Sequence, residues 1–244
     1  MTQITLFKKE NLEKYTLVEA FPGIGLVGPM VASYIVEKLK MEYIGYLDSA
    51  LFPPLAAVHN GIPMYPARLY KDEKSKLLVL TSEFTIEMED IKEIGDVILD
   101  FAKKNNIQKV ISISGLPSES ITNTAYMVSN RKNTVEEAMK KLNTIKEIED
   151  GIVAGMGGYL ITHANDVEVI ALLVEVNPLI TDPRYAETAI KALSSIVNIK
   201  ISLDELEREA KLVESKVKKM LKDAKDAHQH YNRLQEPTGP SPYA

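Results

Sequence analysis

Near the start of the chain, Gly23-Ile24-Gly25-Leu26-Val27-Gly28 has the spacing G-x-G-x-x-G. Between a strand and a helix, that spacing lets the backbone approach a pyrophosphate, whose charge the helix N-terminus stabilises. Asp48 lies about 20 residues past Gly28, where dinucleotide sites place an acid for a ribose hydroxyl. Other features point away from such a site. Pro22 and Pro29 bracket and stiffen the turn, no helical pattern follows Asp48, and the chain offers no obvious hydride-transfer chemistry. The glycines therefore have two readings: a site for a nucleotide or other phosphate ligand, or a structural turn that lets strand and helix pack closely. Gly155-Met156-Gly157-Gly158, between a strand-like Gly151–Ala154 and the apolar Tyr159–Thr162, poses the same choice between an anion nest and a tight turn.

Groups suited to catalysis are sparse. The absence of cysteine rules out disulfides, thiolate metal ligands and a Cys nucleophile. His59 sits beside the turn-forming Asn60-Gly61 in a proline-rich stretch, and His163 ends an apolar segment. His228 and His230 are two apart on a helical pattern, so they diverge and make no zinc face. Glu83, Glu87, Glu89 and Asp90 follow a strand-like run, either near a site at its carboxyl end or as favourable charges at the start of the next helix. There is no G-x-S-x-G, no H-E-x-x-H and no Walker A sequence. The expectation is a protein that is not an enzyme, with no catalytic residues, metal or cofactor.

One more group with binding chemistry ends the sequence. Glu236–Ala244 contains Pro237, Gly239, Pro240 and Pro242 and has almost nothing to bury except Tyr243. It reads either as a frayed end or as a flexible arm whose aromatic anchor and carboxylate are captured together.

The elements that position these groups fall into two parts. Across residues 1–200, β-branched runs at Tyr15–Phe21, Glu42–Leu47, Lys76–Ser82, Lys109–Gly115 and Val167–Val176 predict strands. Helical patterns occupy Pro29–Lys40 and Asp90–Lys104. A third helix starts near Asn133, where Thr134 and Glu137 have capping-box spacing, and a fourth has Asp182 as N-cap before Pro183. Strands alternating with helices predict an α/β domain whose sheet is largely parallel and covered on both faces. Phe52–Tyr70, with its prolines, reads as a long loop with one or two antiparallel strands, placed at an edge. Residues 201–235 carry apolar positions in an unbroken 3-4 spacing from Leu203 to Leu234, which predicts a long helix, either a coiled coil or a helix lying along its own domain. The expected organisation is a core over 1–200, a long helix over 201–235 and a tail over 236–244.

With 244 residues and 45% hydrophobic content, the chain can build a sizeable core. A net charge of -5 argues against general binding of nucleic acid or an anionic membrane. Met1–Lys9 lacks the pattern of a leader, and the longest apolar stretch, Val167–Val176, is about half of what a bilayer requires. A soluble, cytoplasmic protein is expected.

The stretch from Val18 to Gly28, VEAFPGIGLVG, resembles the opening of the proteasome assembly chaperone 2 family. Phe52-Pro53-Pro54 followed by Asn60-Gly61, Ser114-Gly115-Leu116-Pro117, and Asp182-Pro183-Arg184-Tyr185-Ala186 recur in that family's order, so the resemblance covers roughly residues 1–215. It implies a three-layer α/β/α fold related to nucleoside phosphorylases but lacking their catalytic residues. It also implies an ATP-independent protein acting on the proteasome core particle, as an assembly chaperone or an activator. Archaeal-type members form closed homo-oligomers, and a paralogous subunit of the same fold is a further expected partner. Such proteins often end in hydrophobic–Tyr–any residue, which inserts between proteasome α-subunits. Pro242-Tyr243-Ala244 is similar, with Tyr243 as anchor, Pro242 as apolar contact and the Ala244 carboxylate as charge partner. Under this resemblance Gly23, Gly25 and Gly28 are structural.

Overall fold

The computed structural model describes residues 2–197 and 199–203, together with Ser215, Lys218, Lys219, Lys222, Asp223, Lys225 and Asp226, which are helical. Otherwise the expected helix over 201–235, with His228 and His230, and the tail carrying Pro242, Tyr243 and Ala244 lie outside the described residues.

Within the described residues 2–203, sixteen α-helices and β-strands follow in chain order. They are β1 (Gln3–Leu6), β2 (Thr16–Glu19), α1 (Val27–Lys38), β3 (Glu42–Asp48), β4 (Ala57–His59), β5 (Ile62–Met64), β6 (Ala67–Asp72), β7 (Leu77–Ser82), α2 (Ile91–Lys104), β8 (Lys109–Pro117), β9 (Ala125–Ser129), α3 (Lys132–Lys141), β10 (Ile145–Glu147), α4 (Gly155–His163), β11 (Glu168–Val176) and α5 (Pro183–Val197). Nine strands form one sheet in the order β1-β3-β6-β7-β2-β8-β11-β9-β10, and β4-β5 forms a separate hairpin. At the centre, β7, β2, β8 and β11 run parallel. Beyond β7, the strands β6, β3 and β1 alternate in direction, and β9 is antiparallel to β11.

The fold is thus mixed α/β, which corrects the expectation of a largely parallel sheet. The reason is connectivity. Parallel neighbours need a long crossover, whereas β6 and β7 are joined by a short turn and β3 reaches β6 through the proline-rich segment without a helix. That segment does supply antiparallel strands, but β6 lies inside the sheet between β3 and β7 rather than at its edge.

Strand alternation sends side chains to two cores. Val18 and Ala20 of the β2 region pack with α1, α3 and α5, while Leu17 and Phe21 pack with α2 and α4. Because both faces are covered, β2 and nearly all of β11 are buried, and this continuous apolar character made those strands legible. The α2 stripe buries Ile94, Ile98 and Phe101 as its periodicity predicts. Asp182 caps α5, its Oδ1 accepting the Arg184 amide hydrogen bond at 2.9 Å. Two local expectations fail. The Thr134–Glu137 capping box does not form, because α3 begins at Lys132 with Arg131 at its N-cap, and Thr134, inside the first turn, donates to Glu168 at 2.6 Å. Residues 151–154 are not a strand but lead directly into α4.

Candidate functional site

The Gly23–Gly28 motif joins β2 to α1 through a single 3-10 turn over Ile24–Leu26. Gly25 has φ 70°, and a Cβ there would lie 2.8 Å from Val176 Cγ1. At Gly28 a Cβ would meet the Phe21 carbonyl oxygen at 2.7 Å and the Ala20 carbonyl carbon at 2.9 Å, so α1 rests directly on the end of its own strand. Of the three motif glycines, Gly23 alone has open space around its Cβ position. The close approaches at Gly25 and Gly28 are therefore made to the protein itself. Asp48 does not complete a dinucleotide site: β7 and β6 separate β3 from β2, a distance of roughly 14 Å at ordinary strand spacing. Gly28→Ala forces a methyl group against backbone atoms that cannot rotate away, and should cost about 1–3 kcal/mol of stability. A urea unfolding midpoint measures this.

Beside the turn is a cavity of about 330 Å³ at the carboxyl ends of β2 and β8, where α/β sheets commonly receive ligands. Phe21, Ile91, Ile113, Met156 and Leu173 supply apolar wall, and Gly155 and Gly157 at the start of α4 close one side. Four polar side chains, Glu19, Thr85, Ser112 and Ser114, also line it, and Glu19 and Ser112 form a pair. These two face each other in the β2–β8 register. Ser112 Oγ donates to Glu19 Oε2 at 2.5 Å, and the Phe21 amide donates to Oε1 at 2.8 Å. With Glu19 2% exposed, burial pushes its carboxyl up to about 7, against the opposing pull of those two hydrogen bonds. No Lys, Arg or His is among the lining residues.

Sequence reasoning missed this pair as chemistry. The signal was present as one carboxylate inside the otherwise apolar strand Leu17-Val18-Glu19-Ala20-Phe21. Its partner Ser112 comes from β8 and is brought opposite only by strand order.

Of the other flagged residues, His59, Glu83 and His163 make contacts within the fold. His59 Nε2 lies 3.1 Å from Glu83 Oε1, and Arg68 pairs with the same carboxylate while donating to Tyr70 Oη at 2.7 Å. This cluster fastens the β4–β5 hairpin to the sheet. Glu87 and Glu89 are exposed, and burial together with those two neighbours and Glu93 raises the Asp90 carboxyl. The His163 ring stacks on Tyr159 at 3.9 Å, with Nδ1 3.0 Å from the Tyr159 carbonyl oxygen. Among the described residues, no three His, Asp or Glu side chains gather as a metal-binding group, and no helix is long and apolar enough to cross a membrane.

Comparison with known proteins places this architecture. An uncharacterized protein of Methanocaldococcus jannaschii is 28% identical over 214 residues, covering 87% of each chain. The crystal structure of Pyrococcus furiosus PbaA, an archaeal homolog of proteasome-assembly chaperone, superimposes with a TM-score of 0.80 at 25% identity, over 93% of this chain and 99% of that one. Pyrococcus furiosus PbaB, an archaeal proteasome activator, shares the fold with a TM-score of 0.74 at 22% identity, over 89% of this chain and 98% of that one. The PAC2 family model matches residues 17–221, and by that match, which spans most of its length, the chain belongs to the PAC2 family.

Proposed function

We propose that this protein is an ATP-independent proteasome assembly chaperone or core-particle activator that binds proteasome α-subunits through Pro242-Tyr243-Ala244. The observation that carries this reading is the near full-length likeness to PbaA, a homolog of proteasome-assembly chaperone. The similarity of fold to an archaeal proteasome activator is consistent with either role. In this reading the 1–200 core assembles into a homo-oligomer, alone or with a paralogous subunit of the same fold. A helix over 201–235 carries the 236–244 segment away from it. No catalysis is required. Gly23, Gly25 and Gly28 then serve packing, in keeping with the protein contacts made at two of them.

The energetics favour several weak contacts acting together. Presenting several tails to one ring converts modest single-tail affinity into an avidity gain of about 10²–10⁴ where the geometry permits. Tyr243→Ala removes an aromatic anchor of the kind that carries about 2 kcal/mol or more at interfaces, so each tail should weaken by about tenfold or more. Surface-immobilised core particle, titrated with intact protein, Tyr243→Ala and a form lacking Pro242–Ala244, measures this. Retained affinity in the truncated form assigns recognition to the folded domain instead.

A further inference from the structure

We propose that the cavity at the carboxyl ends of β2 and β8 is a ligand site for a small, largely apolar molecule carrying one protonated amine, with the Glu19 carboxylate as its counter-ion. This is independent of the proteasome reading, since none of the residues involved belongs to the tail.

The size of the cavity, about 330 Å³, falls in the range of small-molecule sites, and its walls are predominantly apolar, with few convergent polar groups. The chemistry of those polar groups selects the ligand. An ionised carboxylate offers about four acceptor positions. Glu19 spends one on the Phe21 amide and one on Ser112, so acceptor capacity remains. No ion pair to Glu19 exists among the described residues, and no basic side chain lines the cavity. A buried carboxylate without a counter-charge is costly, and a fold that needed only to fill this space would be served by an amide or an aliphatic side chain. A ligand that brings a cation supplies what the protein lacks.

The surroundings agree. The start of α4, uncapped by any side chain, lies in the lining, and Gly157 lets its backbone approach Ser112 so closely that a Cβ would lie 3.1 Å from Ser112 Oγ. At the mouth, Ile24, Met88 and Ile152 are exposed, continuing the apolar wall outward. A phosphate or nucleotide is disfavoured, because its charge would enter beside Glu19 with no Lys or Arg to receive it.

A matched series tests the proposal: tryptamine as the cation, tryptophol as the neutral analogue, indole-3-acetate as the anion, and AMP as the nucleotide. Each is titrated calorimetrically into the full chain. Tryptamine should bind in preference to the other three, and about tenfold or more tightly at about pH 8.5 than at about pH 5.5, as Glu19 loses its proton. Glu19→Gln, which keeps the shape, should abolish both the pH dependence and the preference over tryptophol. Ser112→Ala removes a hydrogen bond to the carboxylate and should move the midpoint of the pH dependence upward while keeping the preference. Circular dichroism confirms that each variant is folded. Tryptophol binding as tightly as tryptamine, preferential binding of indole-3-acetate or AMP, or no binding by any of the four at millimolar concentration overturns the proposal.

Discussion

Arg68→Met should destabilise the fold by about 3 kcal/mol at neutral pH, the cost of leaving the largely buried Glu83 charge with only His59 beside it. Arg68 is 4% exposed and its guanidinium pairs with Glu83, whose side chain is 13% exposed. Methionine fills a comparable volume but supplies no charge, so the loss is electrostatic rather than a cavity. The pH dependence separates the two. Burial pulls the Glu83 carboxyl up, but the hydrogen bond from His59 and the charge of Arg68 outweigh it and hold the group below the ordinary carboxylate range. A depressed acid contributes stability above its unfolded value and loses it as pH falls through the folded one. The difference between Arg68→Met and the parent should therefore shrink in acid. Adding Glu83→Gln to Arg68→Met should recover part of the loss, because it removes the orphaned charge. Urea unfolding of the parent, both single variants and the double variant measures all of this, and a neutral Arg68→Met would contradict the assignment of this cluster as the fastening of the hairpin.

Glu19→Gln should act in the opposite direction and stabilise the protein by up to about 3 kcal/mol at about pH 8. The Glu19 carboxyl is raised from 4.5 to about 7 by burial. Between those values the folded chain holds a proton that the unfolded chain has released, so stability falls as pH rises across that window. At about 1.4 kcal/mol per pH unit, the fall totals about 3 kcal/mol. Glutamine never ionises and escapes it. Below about pH 4.5 both states of the parent are protonated and the advantage disappears. Thermal unfolding of the two proteins across this range tests the sign directly. A Glu19→Gln variant no more stable than the parent at about pH 8 would mean that Glu19 is already compensated in the folded state. An acid retained at a cost to stability, in a cavity, is the pattern of a residue kept for binding rather than for folding.

These two carboxylates show what sequence can and cannot reveal. The central strands were legible because burial on both faces leaves long β-branched runs such as Val169-Ile170-Ala171-Leu172-Leu173-Val174. Helix α5 was legible because Asp182 and Pro183 state where it begins. Strands β1 and β9 were not, since they are short and only partly buried. Strand direction was misjudged because composition reports burial, while direction depends on what joins consecutive strands. The same limit hid the cavity. Glu19 and Ser112 are far apart in the chain and meet only because β7–α2–β8 carries β8 to the side of β2. Glu83 was noticed as an acid near a strand end, yet its role depends on Arg68 and His59, which the β6–β7 pairing and the β4–β5 hairpin bring to it. The Gly-x-Gly-x-x-Gly spacing lies between β2 and α1. What decides its chemistry is which strands flank β2, and here they are β7 and β8 rather than the strand bearing Asp48.

The most direct test of the proposed function is native mass spectrometry of the full chain mixed with proteasome α-subunits and with core particle, beside the form lacking Pro242–Ala244. A complex formed by the intact chain and absent from the truncated form is the predicted result, with free α-subunits as the partner for a chaperone and the assembled particle as the partner for an activator. Equal complexes from both forms would remove the tail from the mechanism, and no complex from either would contradict the proteasome reading itself.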